Sequence, residues 1–218
     1  MFITVTKALL EGFSTTLFLF GVTLLLSLPI GLGISFFAMS KYPLLRYPTR
    51  FLIWVIRGTP LMLQLIVIYY GPGIFLKANI WGSGDQGRMV AAIFAFVINY
   101  SFYFAEIFRG GIQSIPKGQY EAGEVLGLSK KQIFTHIILL QVIKNILPPI
   151  SNEVITLVKD TSLARIIAVY EIIWSGQSFI KTAGIVWPLF YTGAFYLLFS
   201  GLLEIGFQYL ERKLAYFR

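Results

Sequence analysis

"FSTTLFLFGVTLLLSLPIGLGISFFA", residues 13–38, runs for 26 positions without a charged side chain. As a helix at ~1.5 Å per residue it would reach ~39 Å, enough to cross a hydrocarbon core of ~30 Å. Pro29, Gly31 and Gly33 are the expected places for a bend or for a close neighbour. A secretory signal peptide is the poorer alternative, because the apolar region is too long and further apolar runs follow.

Three similar runs lie downstream, Gly58 to Phe75, Met89 to Ala105 and Thr182 to Leu203. A weaker one, Ile146 to Tyr170, carries charges inside it. The composition agrees: 56% of the 218 residues are hydrophobic, 13% are charged and mean hydropathy is +0.74, outside the range of soluble domains. The expectation is an all-α membrane protein of five transmembrane helices, one membrane domain over residues 1–218. An odd number of crossings puts the termini on opposite sides. One side then collects Lys41, Arg46, Arg50 and Arg57, the basic residues from Arg109 to Lys144, and Arg212, Lys213 and Arg218; the other holds only Lys7, Lys77, Arg88 and Lys181. The positive-inside bias makes the C-terminus cytoplasmic and the N-terminus external. It also accounts for the net charge of +8 without nucleic acid, with anionic lipid as a lesser contributor.

With no cysteine and one histidine, disulfides, thiolate metal sites and paired haem ligands are excluded, and no metal or cofactor is expected. No Gly-x4-Gly-Lys-Ser/Thr phosphate loop occurs.

The longest inner segment, about 109–144, is too patterned to be slack. In "GGIQSIPKGQYEAGEVLGLSKKQIF" (residues 110–134), Pro116 can open a helix, Gln119 to Leu126 continues it and Gly127 is a natural stop. Ala122 and Gly123 would let another surface approach the backbone, while Glu121 and Glu124 offer polar contacts. A plain connection between spans is the competing reading. "EAGEVLGLSKKQIFTHIILLQ" (121–141) resembles the cytoplasmic loop of membrane subunits of ATP-binding cassette importers. "RGTPLMLQL" (57–65) and "SNEVITLVKDTSL" (151–163) are similar to the polar amino acid uptake permeases of that superfamily. The sequence departs from the motif at Gly123, where alanine is usual, and at Leu140, where proline is expected; prolines stand instead at Pro148 and Pro149.

The resemblance covers nearly the whole chain. It implies a type I importer permease fold in a bacterial or archaeal cytoplasmic membrane, with Glu121, Ala122, Gly123, Glu124 and Gly127 coupling to a separate ATPase. It further implies a second permease subunit, identical or similar, and an extracytoplasmic amino acid-binding protein. The chain itself would transmit motion by alternating access and hydrolyse nothing.

Charged groups at membrane depth cost roughly 2.5–3.5 kcal/mol each, so they face a cavity or a partner. In "SNEVITLVKD" (151–160), Glu153 and Asp160 lie seven apart on one helical face with Thr156 between them; Lys159 is turned by about 100°. Asn99, Tyr103 and Glu106 form a second stripe at i, i+4 and i+7. If the stripes face each other, Glu106, Glu153 and Asp160 surround Lys159 in one pocket whose surplus of carboxylates suits a cationic amino acid such as arginine, lysine or histidine. Two other readings stand beside this: a structural ion pair, and a site for the α-amino and α-carboxylate groups common to all amino acids.

Arg57, beside Gly58 and Pro60, reads as a cationic anchor at a kinked helix start, or as a gate. His136 lies outside the spans, which with the solitary membrane aspartate disfavours an intramembrane enzyme. Tyr69, Tyr70, Tyr100, Tyr170 and the tryptophans suit interfacial belts. The functional rival is an ATP-independent secondary transporter using the membrane carboxylates for ion coupling.

Overall fold

The structure, a computed structural model, describes residues 1–215; Arg218 of the basic C-terminal group lies outside them. Among the described residues the chain is helical without a strand. α1 (Phe2–Ala38), α2 (Pro43–Gly58), α3 (Leu61–Phe75) and α4 (Gly84–Gln113) are followed by the short α5 (Lys117–Val125). α6 (Lys130–Gln132) passes through a π-helical turn, Ile133–Ile138, into α7 (Leu139–Asp160). A 3-10 segment, Thr161–Ile167, leads to α8 (Ile172–Ala183) and α9 (Trp187–Leu214).

The helices pack in alternating directions. Gly31 of α1 meets Ser101 and Phe104 of α4, and Ala38 packs with Ala105, so α1 and α4 run parallel. A Cβ at Gly31 would sit 2.8 Å from the Ser101 carbonyl oxygen, so only glycine permits this approach. The chain must therefore return between them, within the stretch that holds α2 and α3. Tyr100 meeting Asp160, with Ile146 packed near Gly111, sets α7 antiparallel to α4. Phe2 stacks on Trp187 and Tyr191, and Phe13 meets Phe195 at a tilt and Phe199 edge-on, so α9 runs parallel to α1. Five passes result, with Phe2 and Leu214 at opposite ends of the bundle.

Several expected boundaries are corrected. Four helical stretches are long and apolar enough to span: Phe2–Ala38, Gly84–Gln113, Lys130–Ile167 and Trp187–Leu214. The second pass is not one helix from Gly58 to Phe75. α3 has 15 residues, ~22 Å, too short for the core alone, and it meets α2 at an angle of 105°. The break lies at Thr59 and Pro60, where the proline has no N–H for an intrahelical bond. The fourth pass begins at Lys130 rather than Ile146. Leu140 in place of a proline lets the helix continue, while Pro148 and Pro149 are absorbed within α7. The last pass begins at Trp187, because Thr182 belongs to α8, which Gly184 closes at φ +67°, and it extends to Leu214.

α5 ends as the sequence predicts. Gly127 has φ +74°, and the Leu128 and Gly127 amides donate to the Gly123 and Glu124 carbonyls, a Schellman stop. Gly123 is small for a different reason than a partner's approach: it is buried against Ile133, leaving a Cβ only 2.7 Å from that side chain. The outward edge is Glu121, Ala122, Glu124 and Gly127 together with Val125 and Leu126, which are 87% and 74% exposed.

Candidate functional site

Asn99, Tyr103, Glu153, Thr156 and Asp160, drawn from both predicted stripes, line one cavity of about 330 Å3. Thr59 to Met62 and Leu163 complete it. Antiparallel packing of α4 and α7 brings the stripes face to face, and the break before α3 supplies the third wall.

Two predicted members are elsewhere. Glu106 points toward a neighbouring arginine group: Arg109 Nε donates to Glu106 Oε2 at 2.9 Å, the Arg109 Nη2 atom bonds Glu106 Oε1, and Arg57 Nη1 lies 3.8 Å from that oxygen. The physical reason is local, since an Arg three residues on is a helix neighbour and neutralises the carboxylate before any distant group can. Lys159 is exposed on the far side of α7 and does not line the cavity. The pocket of three carboxylates around one lysine is thus replaced by a cavity with two carboxylates and no Lys or Arg among its lining residues.

Asp160 stands where α7 passes into the 3-10 segment, and a carboxylate at membrane depth is costly without a partner. Its compensation is the Tyr100 hydroxyl, which donates to Asp160 Oδ2 at 2.8 Å. Tyr100 is therefore no interfacial residue; it is 1% exposed in the centre of the bundle. Among the described residues, neither Glu153 nor Asp160 has a Lys, Arg or His nitrogen within 4.0 Å.

Gln64, a polar residue in an apolar run, organises the break. Its Nε2 donates to the carbonyls of Ile56 (2.9 Å) and Thr59 (3.2 Å) and to Thr59 Oγ1 (2.8 Å), while its Oε1 accepts from Asn99 Nδ2 at 3.0 Å. The carbonyls released where α2 ends are satisfied inside the bundle, and Asn99 is held at the cavity wall. Tyr103 connects the cavity to the arginine group, with the Arg57 guanidinium 5.4 Å above its ring and its hydroxyl donating to the Arg57 carbonyl at 3.4 Å. The sequence pattern places Tyr100 in an interfacial belt and gives Gln64 no role. The signals available were the solitary amide of "RGTPLMLQL" and a hydroxyl one position from Asn99.

Glu171, also unanticipated, is fully buried but structural. Its two oxygens accept from the Ile173 and Trp174 amides at 2.8 Å each and cap α8. His136 is exposed on the π-helical turn, with Nδ1 3.1 Å from the Gln132 carbonyl oxygen. Among the described residues no group of His, Cys, Asp and Glu is placed to hold a metal.

Residues 27–216 match the family described as binding-protein-dependent transport system inner membrane component. The octopine transport system permease protein OccM of Rhizobium radiobacter is 35% identical over 208 residues, 94% of this chain and 84% of that protein. The arginine transport system permease protein ArtQ of Bacillus subtilis (strain 168) is 33% identical over 207 residues, covering 94% of this chain and 92% of its own length. The L-cystine transport system permease protein TcyB of the same organism is 35% identical over 178 residues, 81% and 73% of the respective chains. Among solved structures, an amino acid ABC transporter crystallised with histidines superposes with a TM-score of 0.86 at 29% identity, over 97% of this chain and 96% of that one.

Proposed function

The chain belongs to the family of binding-protein-dependent transport system inner membrane components and is the permease subunit of an amino acid importer of the ATP-binding cassette class; from that premise we propose that the cavity of Asn99, Tyr103, Glu153, Thr156 and Asp160 holds the cargo. The cargo in this reading is a cationic amino acid: arginine, lysine or histidine. The observation that carries it is the pair of carboxylates lining one cavity, neither with a Lys, Arg or His nitrogen within 4.0 Å among the described residues. The α-ammonium and the cationic side chain of such a cargo would each pair with one carboxylate, and a desolvated carboxylate within a membrane needs such a partner. Asn99, Thr156 and Tyr103 supply neutral hydrogen-bonding groups for the cargo's α-carboxylate. The relatives' named cargoes, octopine, arginine and L-cystine, support an amino acid-like substrate and differ in charge. A second reading follows from them, in which Glu153 and Asp160 bind only the α-amino group that all amino acids share.

In the proposed cycle two permease subunits line the pathway, and the basic end of the bundle, with the C-terminus, faces the cytoplasm. ATP binding draws together two ATPase subunits docked on the edge of α5 at Glu121, Glu124, Val125 and Leu126, which opens the cavities to an extracytoplasmic binding protein. Hydrolysis in those subunits, not in this chain, reverses the motion. Reconstitution with the ATPase and binding protein tests the site by measuring which amino acids are taken up and stimulate hydrolysis. Glu153→Gln and Asp160→Asn are expected to reduce stimulation by lysine or arginine while the complex still assembles. Normal uptake and normal basal hydrolysis in both variants would sink the assignment, and equal losses for neutral and cationic amino acids would select the second reading.

A further inference from the structure

α2 is chemically unlike the other long helices. From Gly12 to Gly84 the sequence has no acidic residue, yet Lys41, Arg46, Arg50 and Arg57 fall within or beside this one helix. At about 100° per residue, Arg46, Arg50 and Arg57 occupy a single stripe within about 40° of arc. Leu44, Leu45, Phe51 and Leu52 cover the other side, and all four are exposed. Of the 16 residues of α2 only Ile53 is buried, against Ala38 and Ala105. The helix stands at 105° to α3 and does not continue that pass.

The stripe leads into a built concavity. Arg50, Arg57 and Arg109 line a space of about 280 Å3 with Ile53, Trp54 and Glu106. Three guanidinium groups face one carboxylate there. Arg50 is anchored by its Nε donating to the Ala38 carbonyl at the end of α1 (3.1 Å). Arg46 lies over the Tyr47 ring at 4.9 Å, and its buried Nε has no hydrogen-bond partner. Tyr47 and Trp54 flank the stripe, and Trp54 is 71% exposed. A basic stripe, flanking aromatics and an apolar opposite face describe a helix lying in a membrane interface.

We infer that α2 is an interfacial helix whose Arg46, Arg50 and Arg57 stripe, with Arg109 and Trp54, forms a binding site for the phosphate headgroup of an anionic phospholipid. The acyl chains lie along Leu44, Phe51 and Leu52, while the phosphate oxygens accept from the guanidinium groups. Guanidinium suits this role because its donors match a phosphate bidentately. The site sits at the basic end of the bundle, beside the Arg57–Tyr103 contact that borders the cargo cavity, so an anionic leaflet would tie the break between α2 and α3 to the membrane plane.

The test is native mass spectrometry of the full chain purified in detergent, titrated with phosphatidylglycerol, phosphatidylcholine or inorganic phosphate. Phosphatidylglycerol is expected to bind selectively and in a salt-sensitive way. A double variant, Arg46→Gln with Arg50→Gln, should bind it about thirtyfold more weakly, from roughly a fivefold effect per charge near a lipid surface. Arg46→Lys with Arg50→Lys should keep most of the binding, while Lys130→Gln with Lys131→Gln should leave it unchanged. A photoactivatable phosphatidylglycerol should label residues 43–58 of the unmodified chain, which does not depend on any variant folding. Equal losses in the Lys130/Lys131 pair, displacement by millimolar inorganic phosphate, or labelling elsewhere would overturn the assignment. So would a Gln pair that binds lipid normally but loses its ATPase or second permease subunit, since α2 would then be a subunit contact.

Discussion

Replacing Gln64 by leucine removes the side chain that closes the break between α2 and α3. Three acceptors surround its Nε2, at Ile56 O, Thr59 O and Thr59 Oγ1, but an amide nitrogen carries only two hydrogens. Two full bonds are therefore lost there, and a third where Asn99 Nδ2 donates to Oε1 at 3.0 Å. At a net ~1 kcal/mol per bond the loss is about 3 kcal/mol. For a chain of this size, at about 2–4 °C per kcal/mol, thermal unfolding in detergent should shift down by roughly 6–12 °C. The same loosening frees Thr59 to Met62, which line the cavity. If half of the cost appears as cargo-site disorder, cargo affinity should fall by about tenfold, since that factor corresponds to about 1.4 kcal/mol. Asn99→Ala alone should cost only about a third of the stability, and adding it to Gln64→Leu should cost little more, because the two share one bond. A shift below about 2 °C together with unchanged cargo affinity would refute the bond accounting and the role given to the break.

Gly31→Val should destabilise the bundle by about 1–3 kcal/mol, because its Cβ meets backbone of α4 that cannot yield; Gly33→Val, with nothing within 4 Å, serves as the neutral control in the same melting assay. Glu171→Ala should cost about 1–2 kcal/mol through loss of the α8 cap, seen as faster amide exchange over residues 172–183. Val125→Ser with Leu126→Ser should leave the melting temperature within about 1 °C, since both side chains are exposed, yet weaken stimulation of the ATPase by the complex. Unchanged stimulation would remove α5 from the docking surface.

Much of the architecture was legible because it rests on local chemistry. An uncharged run of 26 residues must be shielded from water wherever it sits, Pro60 after Gly58 and Thr59 lacks the N–H that would carry the helix on, and Gly127 stops a helix because glycine adopts a positive φ without strain. The Glu106–Arg109 pair was legible as well, by i, i+3 spacing, although the longer polar stripe drew Glu106 into the wrong company.

Helix rotation and contact were not legible. A helical wheel gives a residue's direction on its own axis and says nothing of how that axis is turned against its neighbours. Placing Glu153 and Asp160 opposite Asn99 and Tyr103, Tyr100 onto Asp160, and Gln64 between a broken helix and Asn99 required the packing of α3, α4 and α7. The sequence by itself determined that this chain crosses a membrane several times and carries carboxylates within it, because hydropathy and backbone sterics act over a few residues. Only the tertiary structure decided which carboxylates share a cavity and which are already neutralised, because that depends on distances between side chains far apart in the chain, as with Tyr100 and Asp160, 60 positions apart.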